Sequence, residues 1–419
     1  MVSFSAYNFG CRLNQAELSS WIRDFEKRGI HYKKESESSD FIIIHSCTLT
    51  KRADSEIRRL VRQIKRNFPE KKLVVAGCMI DKQKEFFFKE GADLILDNTE
   101  KKNLVEKVIE KFKLKEGQAK TKTKYLSRGF LKIADGCNFG CTYCIIPYVR
   151  GKAVSIDEDK IKANLKELLN YGYREIIITG VNIAYYRREL GEKKAFLNLL
   201  KQLVNIKEDF YLRLTSLDPR LMDEELMDFL VREEKIAAHF HISIQNGSEK
   251  VLRRMGRWVP IKKYYDILDV LNKKRNVLLS ADYIVGFSGE DEEEFKKGKE
   301  FLEKSPLNYL HIFRYSPREG TPAEKMKHPP ERIAKERYEE LKEFHKKRYS
   351  QFINSQLGKT LRGILIDKNR ALTENYIKVV LNNQKISEKK GDLINILIEK
   401  RKNLSARGTL RYFTSTKYI

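Results

Sequence analysis

The 419-residue chain predicts an α/β protein in three parts. These are an N-terminal open parallel sheet over 1–115, a central partial (β/α)6 barrel over 128–353, and a small C-terminal β-barrel over 355–419. Three observations predict this. Short continuous apolar runs alternate with amphipathic stretches in two successive series, the pattern of parallel strands covered on both faces by crossover helices. A polar, basic stretch without period, Phe112 to Arg128, separates the two series and reads as a linker. Beyond Gly358 short alternating strands follow one another without helices between them.

In the first series the strand candidates are Val2 to Tyr7, Phe41 to His45, Leu73 to Ala76 and Leu94 to Leu96, with helices expected over Glu17 to Lys27 and Ser55 to Arg66. Three of these strands run into a cysteine: Cys11, Cys47 and Cys78. In the second series the candidates are Phe130 to Ile133, Glu175 to Thr179, Tyr211 to Leu214, His239 to Ile244, Leu279 to Val285 and Tyr309 to Phe313. Six βα units build a partial barrel rather than a closed eight-stranded one. Pro329-Pro330 then opens one long charged helix, Glu331 to about Gln356, with proline at its start. The final strand candidates are Leu361 to Ile366, Tyr376 to Leu381, Leu393 to Ile398 and Gly408 to Phe413.

Composition narrows the class. The start of the chain lacks a basic segment followed by an apolar one, and no run approaches the ~18 apolar residues that span a bilayer, so a cytoplasmic protein with no membrane partner is expected. Lys and Arg number 83 against 58 Asp and Glu, a net charge of +25 that attracts polyanions, of which nucleic acid is the commonest large one. Solvated basic faces kept for solubility are the lesser, bland reading of such a charge. The segment from Ser355 to Ile419 alone carries 14 Lys or Arg and 5 Asp or Glu, a net +9. With Tyr376, Tyr412 and Phe413 available, that charge suits RNA backbone and stacking contacts.

Six cysteines in a reducing compartment read as metal ligands, nucleophiles or buried small hydrophobes rather than disulfides. Cys137, Cys141 and Cys144 form a C-x3-C-x2-C triplet directly after a predicted strand. Three thiolates so spaced hold three irons of a 4Fe–4S cube and leave the fourth without a protein ligand. An open iron can chelate the amino and carboxylate groups of S-adenosylmethionine (SAM), so that one electron cleaves a carbon–sulfur bond and yields a 5′-deoxyadenosyl radical. Structural zinc needs a fourth ligand, and no histidine lies between His45 and His239. Cys11, Cys47 and Cys78 could each be an inert buried thiol. In an open parallel sheet, though, the carboxyl ends of the strands share one edge, where three cysteines can converge on a second cluster.

Gly10-Cys11-Arg12-Leu13-Asn14, Cys47-Thr48-Leu49-Thr50-Lys51-Arg52-Ala53-Asp54, Ala76-Gly77-Cys78 and the central triplet together resemble the methylthiotransferase family over essentially the whole chain. The resemblance implies an N-terminal methylthiotransferase domain, a radical SAM barrel and a C-terminal RNA-binding TRAM domain. Ile178 to Asn182, Thr215 to Pro219, His239 to Ser248 and Asp282 to Glu290 are similar to that family's strand-end motifs. Asn246, Ser288, His45-Ser46 and Ala153-Val154 depart from them and put local contacts in doubt. The C-T-x-T-x-x-A-D run and Gly-Cys-Arg-Leu-Asn most resemble the branch acting on tRNA threonylcarbamoyl-adenosine 3′ of the anticodon. The alternatives are isopentenyl-adenosine in tRNA, a ribosomal protein, or a non-catalytic basic RNA-binding metalloprotein.

What the resemblance implies is a methylthio group added to carbon 2 of the adenine. The cofactors implied are SAM and two 4Fe–4S clusters, one on Cys137, Cys141 and Cys144 and one on Cys11, Cys47 and Cys78. One SAM methylates sulfur on the N-terminal cluster, and a second is cleaved at the other. Implied partners are the tRNA anticodon stem-loop, an electron donor such as a flavodoxin or ferredoxin, and a sulfur donor. Tyr143 resembles the aromatic beside the SAM adenine, although it could simply exclude water. Gly180, Asn182 and Gln245 lie at strand ends where they could reach SAM, and an ordinary βα turn explains them as well. Gly286 with Glu290 could also be only the start of a helix with an acidic first turn. Arg150 could meet a carboxylate or a phosphate, or form a surface ion pair. His239 and His241 share one side of a strand, either packed inside the barrel or facing SAM.

Overall fold

A computed structural model describes residues 1–47, 51–118, 124–382 and 387–411. The first sheet comprises β1 (Ser3–Asn8), β2 (His31–Tyr32), β3 (Phe41–Ser46), β4 (Lys72–Gly77) and β5 (Leu94–Leu96). All are parallel, in the order β2-β1-β3-β4-β5. Its helices are α1 (Arg12–Lys27), α2 (Lys51–Asn67), α3 (Ile80–Lys89) and α4 (Leu104–Phe112). Because side chains alternate along a strand, Phe41 and Ile43 pack with Leu18 and Ile22 of α1 and Val105 of α4 on one face. Ile42 and Ile44 pack with Ile57 and Val61 of α2 and Phe87 of α3 on the other. Phe112, read as the start of the linker, is the last residue of α4 and is buried in this core.

The barrel begins with β6 (Gly129–Lys132), a short hairpin of β7 (Ala134–Asp135) and β8 (Val154–Ser155), and α5 (Ile146–Arg150) within it. Then come α6 (Glu158–Asn170), β9 (Glu175–Thr179), α7 (Ala195–Val204), β10 (Tyr211–Leu214), α8 (Glu224–Arg232), β11 (His239–Gln245), α9 (Glu249–Arg254), α10 (Ile261–Leu271), β12 (Leu278–Val285), α11 (Glu292–Lys304), β13 (Tyr309–Arg314) and α12 (Glu331–Ser355). Two parallel sheets, β10-β9-β6 and β11-β12-β13, are joined by the single parallel bridges Leu212–Ile236 and Leu217–Ile242. Among the described residues no ladder joins β13 to β6, so the six predicted strands form an open barrel. Ala16 of α1 packs on Phe130 and Ile177, placing the N-terminal unit against the β6 side.

A closed barrel ends the chain: β14 (Thr360–Asp367), β15 (Arg370–Thr373), β16 (Lys378–Leu381), β17 (Leu393–Lys402) and β18 (Ser405–Leu410), in the order β14-β15-β16-β18-β17. It docks under the open six-stranded barrel through Arg213. That fully buried side chain is ion-paired with equally buried Glu175 and donates to the carbonyls of Glu374 at 2.9 Å and Thr373 at 3.2 Å. Among the described residues no helix is long and apolar enough to cross a membrane.

Some expectations change. Tyr376 is not in a strand and not free to stack on RNA. It sits in the β15–β16 turn, stacked on His239 with ring centres 4.6 Å apart and planes 9° apart. Packing under the barrel claims the ring that the sequence offered to a nucleic acid. Tyr412 and Phe413 lie outside the described residues, as do Thr48, Leu49 and Thr50 of the second cysteine motif.

Candidate metal centre

The Cys137–Cys144 loop follows the β6–β7 segment and is pinned from several sides. Gly136 has φ +66°, and a β-carbon there would stand 1.9 Å from the Lys152 carbonyl, so only glycine lets the chain turn into the loop. Cys137 N–H donates to the Gly151 carbonyl at 3.1 Å, Thr142 N–H to Met255 at 3.0 Å and the Thr142 hydroxyl to the Arg254 carbonyl at 2.7 Å. Ala323 N–H returns a bond to the Thr142 carbonyl at 2.9 Å. All three sulfurs line one cavity of about 440 Å³ with Phe139, Tyr148 and Lys152; no carboxylate or imidazole lines it.

Donors surround this loop. Phe139 N–H donates to Cys137 Sγ at 3.5 Å, while Arg220 Nη2 and Arg257 Nη1 approach Cys141 Sγ at 3.7 and 3.8 Å. Asp218 fixes both arginines, Arg220 through a bidentate pair at 2.9 and 2.6 Å and Arg257 at 3.5 Å. Asp218 is itself buried, which raises its carboxyl; the Arg220 hydrogen bond and both guanidiniums outweigh that and hold it below the usual range. Burial pushes the Cys144 thiol up to about 12 and raises that of Cys137. Thiols so placed ionise only beside strong positive charge, which a bound metal supplies.

The second set stands at the carboxyl edge of the first sheet. Cys47 and Cys78 directly follow the adjacent strands β3 and β4 and are each 4% exposed. Cys11 is not at a strand end: β1 stops at Asn8, and Cys11 is the residue preceding α1. Gly10 makes that approach possible, because its φ is +148° and a β-carbon would lie 3.0 Å from Cys47 Cβ. Among the described residues no two cysteines are disulfide-linked, and no three His, Cys, Asp or Glu side chains already stand together as a metal-holding group. The donor sets nevertheless fit iron–sulfur ligation, being three thiols on one loop and three at one sheet edge.

The two sets are stitched together. Cys78 packs on Ile145 and Val149, the segment that follows Cys144. Its thiol donates to Asn98 Oδ1 at 3.7 Å, and Asn98 Nδ2 donates to the Val149 carbonyl. Arg150 is no surface residue; its side chain is 2% exposed and binds Asp135 at 3.0 Å, Glu17 at 3.1 Å and Asn14 Oδ1 at 2.8 Å. Glu17 also accepts from Lys101 and Lys132, each at 2.7 Å. Burial raises the Glu17 carboxyl, but Lys101 and Lys132 overcome it and hold it well below the usual range. Lys101 itself is lowered, since burial outweighs its single carboxylate, whereas Lys132 has two and is raised. His45 Nδ1 lies 3.1 Å from the Asn14 carbonyl, and burial takes its imidazole down to about 4. Glu17, Lys101, Lys132, Asp135 and Arg150 border a cavity of about 700 Å³ between the two units.

Tyr143 is half-buried with its ring 6.1 Å from Phe287. Asn182 Nδ2 donates to Asp218 at 3.4 Å and its Oδ1 is buried without a partner. Gly180 faces the Ala134 carbonyl, where a β-carbon would lie at 3.1 Å, and Gln245 ends β11 at φ +72°. Gly286 N–H donates to Glu290 at 2.5 Å and its α-carbon faces Ala334, so its visible role is packing against α12. His239 and His241 are buried inside the barrel, bridged by the Ser280 hydroxyl at 3.0 Å from each. Arg220, Arg257, Glu17 and Lys101 were not singled out by the sequence. The only hint was a lone Lys132 or Arg213 alternating inward on an apolar strand.

Residues 131–302 match the radical SAM superfamily, and residues 3–97 the uncharacterized protein family UPF0004. The threonylcarbamoyladenosine tRNA methylthiotransferase MtaB of Aquifex aeolicus is 36% identical over 93% of this chain and 98% of its own length. The chain belongs to the radical SAM methylthiotransferase family. Within the family, the tRNA-2-methylthio-N(6)-dimethylallyladenosine synthase of Natranaerobius thermophilus is 29% identical over 87% of this chain and 85% of its own. The fold is that of the radical SAM methyltransferase TsrM from Kitasatospora setae, solved with cobalamin and a [4Fe-4S] cluster (TM-score 0.57, 11% identity, 77% of each chain).

Proposed function

We propose that this methylthiotransferase adds a methylthio group to carbon 2 of threonylcarbamoyl-adenosine beside the tRNA anticodon, in the cytoplasm. The observation that carries the reading is the stitching of two cysteine sets across the Arg150–Glu17–Asp135 contacts, so that sulfur donation and radical generation occur at one place. Cys137, Cys141 and Cys144 would hold one 4Fe–4S cluster, and Cys11, Cys47 and Cys78 the other. When bound, the first cluster would supply the electron that cleaves SAM to a radical, the species able to abstract a carbon-bound hydrogen too weakly acidic for any side-chain base. Arg220 and Arg257 donate toward the Cys141 sulfur and, with Asp218, fix its orientation. Tyr143, Gly180, Asn182 and Gln245 line the SAM place, with Gly286 shaping the turn beside it. The closed basic barrel tracks the tRNA backbone. A small electron carrier, such as a flavodoxin or ferredoxin, and a sulfur donor complete the set of partners.

Support for the threonylcarbamoyl branch over the dimethylallyl one comes from the higher identity to the first and from the Arg12 that follows Cys11. The test is nucleoside mass spectrometry of tRNA from cells with and without the gene, with purified variants beside it. Cys141→Ala is expected to keep only the N-terminal cluster and to form no 5′-deoxyadenosine. Cys47→Ala is expected to cleave SAM but transfer no sulfur. Full methylthiolation by Cys47→Ala would overturn the two-cluster reading.

A further inference from the structure

The lower interior of the six-stranded barrel carries more cationic nitrogen than its carboxylates use. Among the described residues Arg12 makes no ion pair. Its Nη2 donates to the Tyr376 hydroxyl at 3.3 Å and its guanidinium lies 5.7 Å from that ring's centre. Arg213 and Arg128 share one carboxylate, Glu175. Arg128 Nη1 stays 3.8 Å from it, beyond hydrogen-bond reach, and is buried without a hydrogen-bond partner, as is Nδ1 of His239. Arg213 lies over the same ring, 5.0 Å from its centre; burial raises the Tyr376 phenol, yet Arg12, Arg128 and Arg213 hold it below its usual range. The nearby carboxylate of Asp282 lies 3.1 Å from His241 Nε2 and, among the described residues, makes no ion pair with Arg12. Arg12, Arg128, Tyr376 and His311 each keep part of their surface accessible, so a solute can reach this face.

Surplus donors of this kind await an anion, because a buried donor left unpaired is costly and a guanidinium binds a carboxylate with two parallel bonds. Arg12 is one residue from Cys11, about 3.8 Å between α-carbons, so a group held at its tip is one side-chain length from the first cysteine set. A threonylcarbamoyl arm ends in the carboxylate of threonine, whereas a dimethylallyl arm carries no charge. We propose that Arg12, with Arg128 over the floor made by His239 and Tyr376, is the subsite for the carboxylate ending the substrate's N6 arm. This rests on the tRNA reading above and names the residue that selects an acid-bearing base over a prenylated one. A site built on donors rejects the analogue lacking the acceptor more strongly than an apolar pocket rejects an added group.

The test is equilibrium binding by fluorescence anisotropy of two anticodon stem-loop RNAs to the full chain. One carries threonylcarbamoyl-adenosine and the other the same nucleoside as its threonine methyl ester, which removes the charge alone. The wild type is expected to bind the acid about ten- to a hundred-fold more tightly than the ester, the range of one charge-assisted pair. Arg12→Gln is expected to bind the two RNAs within about twofold of each other at the wild type's ester affinity, and Arg12→Lys to keep part of the preference. Equal wild-type affinities for acid and ester overturn the proposal without any variant. Equal weakening toward both RNAs in Arg12→Gln also overturns it, by making Arg12 a prop for Tyr376 and no more. The tRNA reading fails by a different result: no methylthio group on the acid RNA after incubation with iron-loaded wild type and SAM.

Discussion

Replacing Glu17 with Gln removes the one carboxylate that serves Lys101. Lys101 is 3% exposed and Glu17 7%, so little solvent screens the pair. Lys132 and Arg150 lose less, because Asp135 remains to each at 2.6 and 3.0 Å. Breaking a buried pair from one side leaves an uncompensated charge and costs about 3–5 kcal/mol; since the amide oxygen still accepts one bond, the lower end, about 3 kcal/mol, is expected. The second substitution Lys101→Met in the same chain removes the stranded charge and should restore most of that loss. Trp21, buried beside this network, and exposed Trp258 are the only tryptophans. In a Trp258→Phe background, urea unfolding followed by tryptophan fluorescence therefore reports the N-terminal unit. A Glu17→Gln midpoint equal to the parent's, or a double variant no more stable than the single one, would refute the claim that this network binds the two units.

Acidification acts elsewhere first. Glu17 is held below its unfolded value, so its contribution is complete above about pH 4.5 and fades only as pH falls through the lower folded value. His45, lowered to about 4 by burial, is neutral when folded and protonated when unfolded between pH 6.5 and 4. Stability should fall by up to about 3 kcal/mol over that window, and His45→Gln should flatten that part of the curve. Arg220→Gln removes a donor from the Cys141 sulfur and should move the cluster potential about 65–130 mV more negative, the one-electron equivalent of a charge-assisted bond, read by a redox titration with electron paramagnetic resonance. Binding of tRNA should weaken with salt at a slope steeper than about −3 in log–log form, as expected for several phosphate contacts; a flat response contradicts a backbone-tracking barrel.

Much of the scaffold was legible because its strands are continuous apolar runs: β9 and β10 fall at the residues the pattern marked, and α12 begins directly after Pro330. The strands β2 and β15 were missed for a physical reason. His31–Tyr32 is too short to show alternation, and Arg370–Thr373 opens on a charged residue and takes its register from a turn after Asp367. The cysteine triplet was legible as local spacing. The network around it was not, since Glu17 and Arg150 stand 133 residues apart and a lone acid on a helix looks like a solvated face. Tyr376 shows the same limit: an aromatic in a basic strand-rich segment reads identically whether it stacks on a base or on His239.

Iron, zinc and acid-labile sulfide counted in anaerobically reconstituted wild-type protein, with and without Cys141→Ala, test the account most directly. About eight irons and eight sulfides per chain, falling to about four of each in the variant, are predicted, with 5′-deoxyadenosine formed from SAM under dithionite by the wild type alone. Zinc without sulfide, or undiminished SAM cleavage by Cys141→Ala, would contradict it.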